Sequence, residues 1–332
     1  MRRPKDLYFN LFNSINASRS IPSLIKKSGI NIIFPFYHNV SDEDVMHIKH
    51  LYPSKNSNSF INDLDFLLKY YKPLSIDDFL EKKYDPTQNY FVLSFDDGLR
   101  KMFDVVRPIL NKKGIPAVFF LNSAFVDNID LFYRYKVSII IDHLQDENIR
   151  NIVNKTLQSD SSDIKKITEQ LLSLTYADQN IINKIGRETQ IDFERYLKEV
   201  APYMTAAEIK QMIAEGYKFG GHGHDHPLYQ NITTEEQFDQ TKKSIFFVED
   251  NFPGQKKYFA FPFTAEGVDN KTIDRIKTEL KIDLLFGTGG LRDPYTSAVI
   301  ERIPMENGTL NAEQIIKNEY SWYLLKRLVG KK

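Results

Sequence analysis

Short apolar runs that end in polar clusters alternate along this chain with segments of helical periodicity, and no other feature limits the fold as much. Residues 32–37 form an apolar run that stops at His38-Asn39-Val40-Ser41-Asp42. Residues 59–71 then carry Phe60, Ile61, Leu64, Leu67 and Leu68 at the spacing of an amphipathic helix. Residues 90–95 are a second strand, closed by Asp96-Asp97-Gly98 and followed by Met102, Val105, Val106, Ile109 and Leu110 in helical register. A third strand, 117–121, comes after Gly114 and Pro116. Strand, helix, strand with short Gly/Pro punctuation predicts a parallel α/β sheet or barrel.

From 128 to 204 the pattern changes to apolar residues at helical spacing among Lys, Asp, Gln and Asn, which reads as a helical insertion. Only Val137-Ser138-Ile139-Ile140-Ile141 is ambiguous between helix and strand. Thr205-Ala206-Ala207-Glu208 has the form of a capping box and opens a helix that stops at Gly216. The strand 217–220 then leads into Gly221-His222-Gly223-His224-Asp225-His226-Pro227, which holds three of the chain's seven histidines. Strands at 257–262 and 284–286, with a helix at 272–280 between them, restore the α/β rhythm. A chain of 332 residues that is 42% hydrophobic can bury one large core, and we read residues 1–332 as a single domain.

Loops at the C-terminal ends of parallel strands are where such folds place their chemistry. Asp96-Asp97, His38 and the His222 cluster all fall there. The chain has no cysteine, so any metal must be held by His, Asp or Glu. One Asp and two neutral imidazoles make a three-ligand site that leaves positions open for water and substrate. His222 and His226 are four apart, a spacing that turns both rings the same way on a helical turn or tight loop, whereas His224 between them points away. A lone Asp at a strand end is readily explained as a helix cap. Two adjacent ones repel, and a cation resolves the conflict by taking one as ligand while the other accepts a proton.

Lys+Arg and Asp+Glu both total 44, so nothing attracts the chain to nucleic acid. The basic cluster Met1-Arg2-Arg3-Pro4-Lys5 is not followed by an apolar leader, and no run of eighteen apolar residues occurs, which predicts a cytoplasmic protein. The tail, Tyr320 to Lys332, sets the only Trp, Trp322, in a basic and apolar segment. It either packs back on the domain as a helix, the simpler reading, or lies against the inner face of an anionic membrane.

Ser94-Phe95-Asp96-Asp97-Gly98 and His222-Gly223-His224-Asp225-His226 resemble the first two motifs of the NodB-homology polysaccharide deacetylases, carbohydrate esterase family 4. The resemblance covers roughly residues 30–125 and 215–305. It implies a distorted, incomplete (β/α) barrel, with Asp96 as general base and Asp97, His222 and His226 as ligands of a divalent metal. Zinc is favoured for such a set, with cobalt, nickel, manganese or iron also accepted. The chain departs from the family twice. Ala260, before Phe261-Pro262-Phe263, stands where an arginine usually orients the base, and no histidine follows His226. Phe36-Tyr37-His38-Asn39 is similar to the permuted arrangement of poly-N-acetylglucosamine deacetylases, which makes His38 the general acid. The implied activity is removal of N-acetyl groups from an amino-sugar glycan or precursor, an acetylated saccharide such as an intracellular surface-polysaccharide precursor. The competing readings are a sugar-binding protein without turnover, suggested by Ala260, and a hydrolase of a non-carbohydrate amide. Tyr37, Tyr133, Arg134, Phe261 and Phe263 are candidates to contact sugar. Arg302 is a candidate substitute for the missing arginine, although a charge-paired surface arginine is the simpler reading.

Overall fold

The structure is a computed structural model and describes residues 8–9 and 16–330. The N-terminal basic cluster and the last two lysines of the tail lie outside the described residues. Two of the expected strands are each bent into two pieces. The first is β1 (Ile32–Ile33) and β2 (Pro35–Tyr37), and the second is β4 (Tyr90–Phe91) and β5 (Leu93–Phe95), with β3 (Lys72–Pro73) between them in the chain. The lower pieces pair in a small sheet of order β1-β4-β3, and the upper pieces enter the main sheet.

The main sheet continues through β6 (Ala117–Leu121), β7 (Lys218–Gly221), β8 (Tyr258–Ala260), β9 (Leu284–Gly287), β10 (Val299–Glu301) and β11 (Ile303–Pro304). Its order is β10-β9-β8-β7-β6-β5-β2-β11, and every pairing in it is parallel. The two edge strands are successive pieces of one stretch, separated only by Arg302. Val299 pairs with Leu285 on β9 and Ile303 with Pro35 on β2, so residues 299–304 draw the two edges together and nearly close the sheet into a barrel. This stretch carries no strand signal in the sequence, because Glu301 and Arg302 interrupt its apolar run.

Alternation along the strands sorts the core into two layers. Phe34, Val92, Val118, Phe120, Tyr258, Ala260, Phe286 and Ile300 pack as one cluster inside the barrel. Ile33, Leu93, Phe95, Phe119, Leu121, Phe219 and Ile303 face a second cluster beneath the surrounding helices. One close approach demands glycine, since a Cβ on Gly220 would lie 2.4 Å from the carbonyl oxygen of Tyr258.

The helices α1 (Ile21–Ser28), α2 (Ser57–Tyr70), α3 (Ile76–Leu80) and α4 (Arg107–Lys113) precede β6. Between β6 and β7 run α5 (Tyr133–Asp142), α6 (Glu147–Leu157), α7 (Ile164–Ser173), α8 (Gln179–Thr189), α9 (Phe193–Val200) and α10 (Ala206–Ala214). The ambiguous run 137–141 lies inside α5, and all five of its residues are buried. A helix covered all round loses the polar stripe that would have marked it. Helices α5 to α9 share a core of their own, joined by Ile48 and Tyr203. The expected capping box at Thr205 and Glu208 starts α10. After β7 come α11 (Thr234–Asn251), α12 (Asn270–Glu279) and α13 (Ala312–Leu328). The tail packs back on the domain: α13 is buried from Ala312 to Ser321 except at residues 313 and 314, and Trp322 lies against Tyr8. No helix among the described residues is long and apolar enough to cross a membrane.

Candidate active site

Strand register assembles the site. Phe36 pairs with Ser94 and Tyr37 with Phe95, so two residues along each strand His38 meets Asp96 above the inner layer. Leu121 pairs with Gly221, so Asn122 meets His222, and the amide of Asn122 donates to the His222 carbonyl at 2.5 Å. On the closing stretch, Pro304 pairs with Phe36, which brings Glu306 beside His38.

The chain then turns sharply twice. Asp97 and Gly98 adopt left-handed backbone (φ 70 and 66), and a Cβ on Gly98 would crowd Leu121 at 2.9 Å. His226 is also left-handed (φ 64), a strain that folded proteins keep where it aims a side chain. Its loop is anchored by the Gln240 side chain, which donates to Asp225 at 2.6 Å and accepts from the His224 amide at 2.9 Å. Tyr176 of the insertion donates to the same Asp225 at 2.7 Å. His224 turns away to Ser123 Oγ at 2.8 Å.

Asp97, His222 and His226 are buried and converge. Asp97 Oδ1 lies 3.5 Å from His222 Nε2 and 3.2 Å from His226 Nε2. That oxygen accepts no well-formed hydrogen bond, although it is wholly buried. A buried, unpartnered carboxylate oxygen facing two imidazole nitrogens is the donor set a divalent cation requires. His222 Nδ1 donates to the Ala260 carbonyl at 2.8 Å, which leaves Nε2 as the lone-pair nitrogen. Burial holds the His222 pKa down at about 4, so the ring is neutral and able to ligate. The other oxygen of Asp97 accepts from the Tyr135 hydroxyl at 3.1 Å, which in turn lies 3.2 Å from Tyr52. His226 is flanked by the rings of Phe132 and Phe263, each with its centroid 4.6 Å away.

Arg302 corrects the simpler expectation for it. It is not on the surface but fully buried, where its guanidinium grips Asp96 with both arms at 2.6 and 2.7 Å. It lies within the barrel, 4.4 Å from the Phe36 ring centroid and 5.1 Å from that of Phe120. A guanidinium thus reaches Asp96 from the junction of β10 and β11, whereas Ala260 on β8 offers none. Burial works against ionised Asp96, but Arg302 and then His222 outweigh it and hold the carboxyl below its ordinary value.

His38 faces Asp96 across the cavity. Its Nδ1 lies 2.7 Å from Glu306 Oε2, and Glu306 also accepts the backbone N–H groups of His38 and Asn39 at 2.8 and 2.7 Å. Burial opposes the imidazolium, but Glu306, with Asp97 and Asp96 behind it, raises the pKa to about 9. Glu306 escaped the sequence reading. Its signal was an acid two residues beyond a strand that had itself been missed. Tyr135 likewise carries no sequence signal that would mark it as a partner of Asp97.

The cavity above the site, about 350 Å³, is lined by His38, Tyr52, Asp96, Arg134, His226 and Phe263 among others. Two candidates for sugar contact lie elsewhere. Tyr37, one step out of phase with His38, points into the outer core and donates to Asp63 at 3.2 Å. Phe261 is buried against Tyr229 and Phe259, for the same alternation reason. Phe263 and Arg134 line the cavity. Tyr133 lines a neighbouring one.

The sequence model of the polysaccharide deacetylase family matches residues 83–283. No curated protein matches the sequence. Among solved structures, the Streptococcus pyogenes deacetylase PplD in complex with acetate is similar with a TM-score of 0.57 at 15% identity, over 87% of this chain and 98% of that one. IcaB from Ammonifex degensii gives 0.55 at 14%, over 89% and 98%. A de-N-acetylase from Aggregatibacter actinomycetemcomitans gives 0.54 at 15%, over 85% and 97%. At these identities the structural likenesses speak for the fold.

Proposed function

The chain belongs to the polysaccharide deacetylase family, and on that premise we propose that it is a metal-dependent hydrolase removing N-acetyl groups from an amino-sugar glycan or its precursor. The observation that carries this reading is the convergence of Asp97, His222 and His226 at the floor of a cavity flanked by Asp96 on Arg302 and His38 on Glu306. Asp97, His222 and His226 would hold a divalent ion, zinc before cobalt, nickel, manganese or iron, whose chemistry there would be to polarise the acetamide carbonyl and make a water acidic. Asp96, kept ionised and oriented by Arg302, accepts the proton of the attacking water. His38, kept protonated by Glu306, gives its proton to the departing amine as the C–N bond breaks, and acetate and a free amino sugar leave. Arg134 and Phe263 stand where the sugar enters.

The test is acetate release from N-acetylated oligosaccharides by the metal-reconstituted protein, with non-carbohydrate amides assayed alongside. Asp96→Asn is expected to abolish release and retain the metal; loss of the metal instead would reverse the roles of Asp96 and Asp97. Saccharide binding without acetate under every metal would favour a sugar-binding protein, a reading that loses its original motive now that Arg302 supplies the guanidinium Ala260 lacks. The reading also has the protein work in the cytoplasm; beyond the packed part of α13, exposed Leu325, Leu328 and Val329 beside Arg327 support an added contact of the helix end with an anionic membrane face. Co-sedimentation with anionic but not neutral vesicles tests that part.

A further inference from the structure

A second cavity, about 410 Å³, opens beside the first, between the helical insertion and the loops after β7 and β8. Tyr133, Arg134 and Tyr176 come from the insertion, and Gln230 and Asn231 from the facing loop. Arg134 and Phe263 line both cavities and so stand at the boundary between them. Aromatic faces with amide side chains suit a sugar ring and its hydroxyls. The volume equals or exceeds that of the cavity over the metal ligands, so it has room for a further unit of the same kind.

Arg134 gives this second cavity its character. It is half-buried, lies 5.9 Å from the Phe263 ring centroid, and pairs with no carboxylate among the described residues. The acids of the first cavity are committed, Asp96 to Arg302 and Glu306 to His38, and Glu266 at the rim of the second is exposed and forms no ion pair with Arg134. A planar guanidinium held between two sugar-sized spaces, with its own acids engaged elsewhere, matches a carboxylate or phosphate on the ligand. We infer that the substrate is an anionic oligosaccharide: the acetylated unit sits over the metal ligands, its neighbour lies in the insertion's cavity, and Arg134 binds an acidic group carried at the junction. This rests on the deacetylase reading for the first cavity and adds a substrate class to it.

The test compares three acetylated probes: a neutral N-acetylglucosamine tetramer, the same oligomer with a terminal phosphate, and an oligomer alternating N-acetylglucosamine with glucuronate. Binding to the metal-loaded protein is measured by calorimetry, and acetate release in parallel. At least one anionic probe is expected to bind about tenfold or more tightly than the neutral one, and which probe does so tells carboxylate from phosphate. Arg134→Gln should reduce that ratio to about one, Arg134→Lys should keep part of it, and raised salt should erode it in the wild type. Equal binding of all three probes, or a preference that survives Arg134→Gln in a variant retaining its metal, overturns the inference. A preference abolished by Arg134→Gln without acetate release from any probe upholds the anionic site and removes the deacetylase reading instead.

Discussion

Two charge pairs flank the candidate ligands, Arg302–Asp96 buried and His38–Glu306 half-buried, and they differ in what their loss should do. Arg302 and Asp96 are both almost wholly buried, so truncating the arginine strands a carboxylate in the barrel. Arg302→Met is expected to cost about 3–5 kcal/mol of stability by denaturant titration. It should also raise the Asp96 pKa and, with Asp96 as the proposed base, move the acid limb of the pH–rate profile upward, because that base must be ionised to work. The His38–Glu306 pair is the opposite case, a cation favoured by a nearby carboxylate. With a folded pKa of about 9 against an ordinary 6.5, its contribution to stability is complete below about pH 6.5 and lost as pH rises towards 9. Glu306→Gln should bring the His38 titration, followed by NMR in the metal-free protein, back towards 6.5 and flatten that window. An unchanged titration would show that Glu306 is not the source of the shift.

At the level of elements, α5 does more than cover the barrel, because its Tyr135 hydroxyl fixes the Asp97 carboxylate. Tyr135→Phe keeps the packing and removes that donor, so metal affinity should fall by about 10- to 100-fold in a competition assay, whereas a packing role alone would leave it unchanged. The sequence disclosed the strand that ends in Asp96-Asp97 as an apolar run with an abrupt polar stop, and the one that ends in His222 by the capped helix and Gly216 that precede it. It concealed the stretch 299–304, where two charged residues break the run and one turns inward as a buried arginine. Period-2 alternation could also have excluded Tyr37 as a sugar contact, since His38 must face the cavity and its neighbour must not. The partners Glu306 and Tyr135 were out of reach, because each contact depends on register between segments far apart in the chain.

On the scale of the whole molecule, a metal held as proposed would be coupled to folding, because Asp97, His222 and His226 converge only when β5, β7 and their loops are assembled. Zinc at about a hundred times its Kd should stabilise the fold by about 2.7 kcal/mol, and a chelator should remove that increment in thermal unfolding. In Asp97→Ala the increment should be largely lost. The closing stretch has a consequence in time. Arg302, which grips Asp96, and Glu306, which pairs with His38, lie within and just beyond the stretch that joins β9 to β2. On the proposed function, a chain emerging from the ribosome would complete the three candidate ligands some seventy-five residues before it could hold Asp96 or His38 in place, and it would stay inert until the ring shuts.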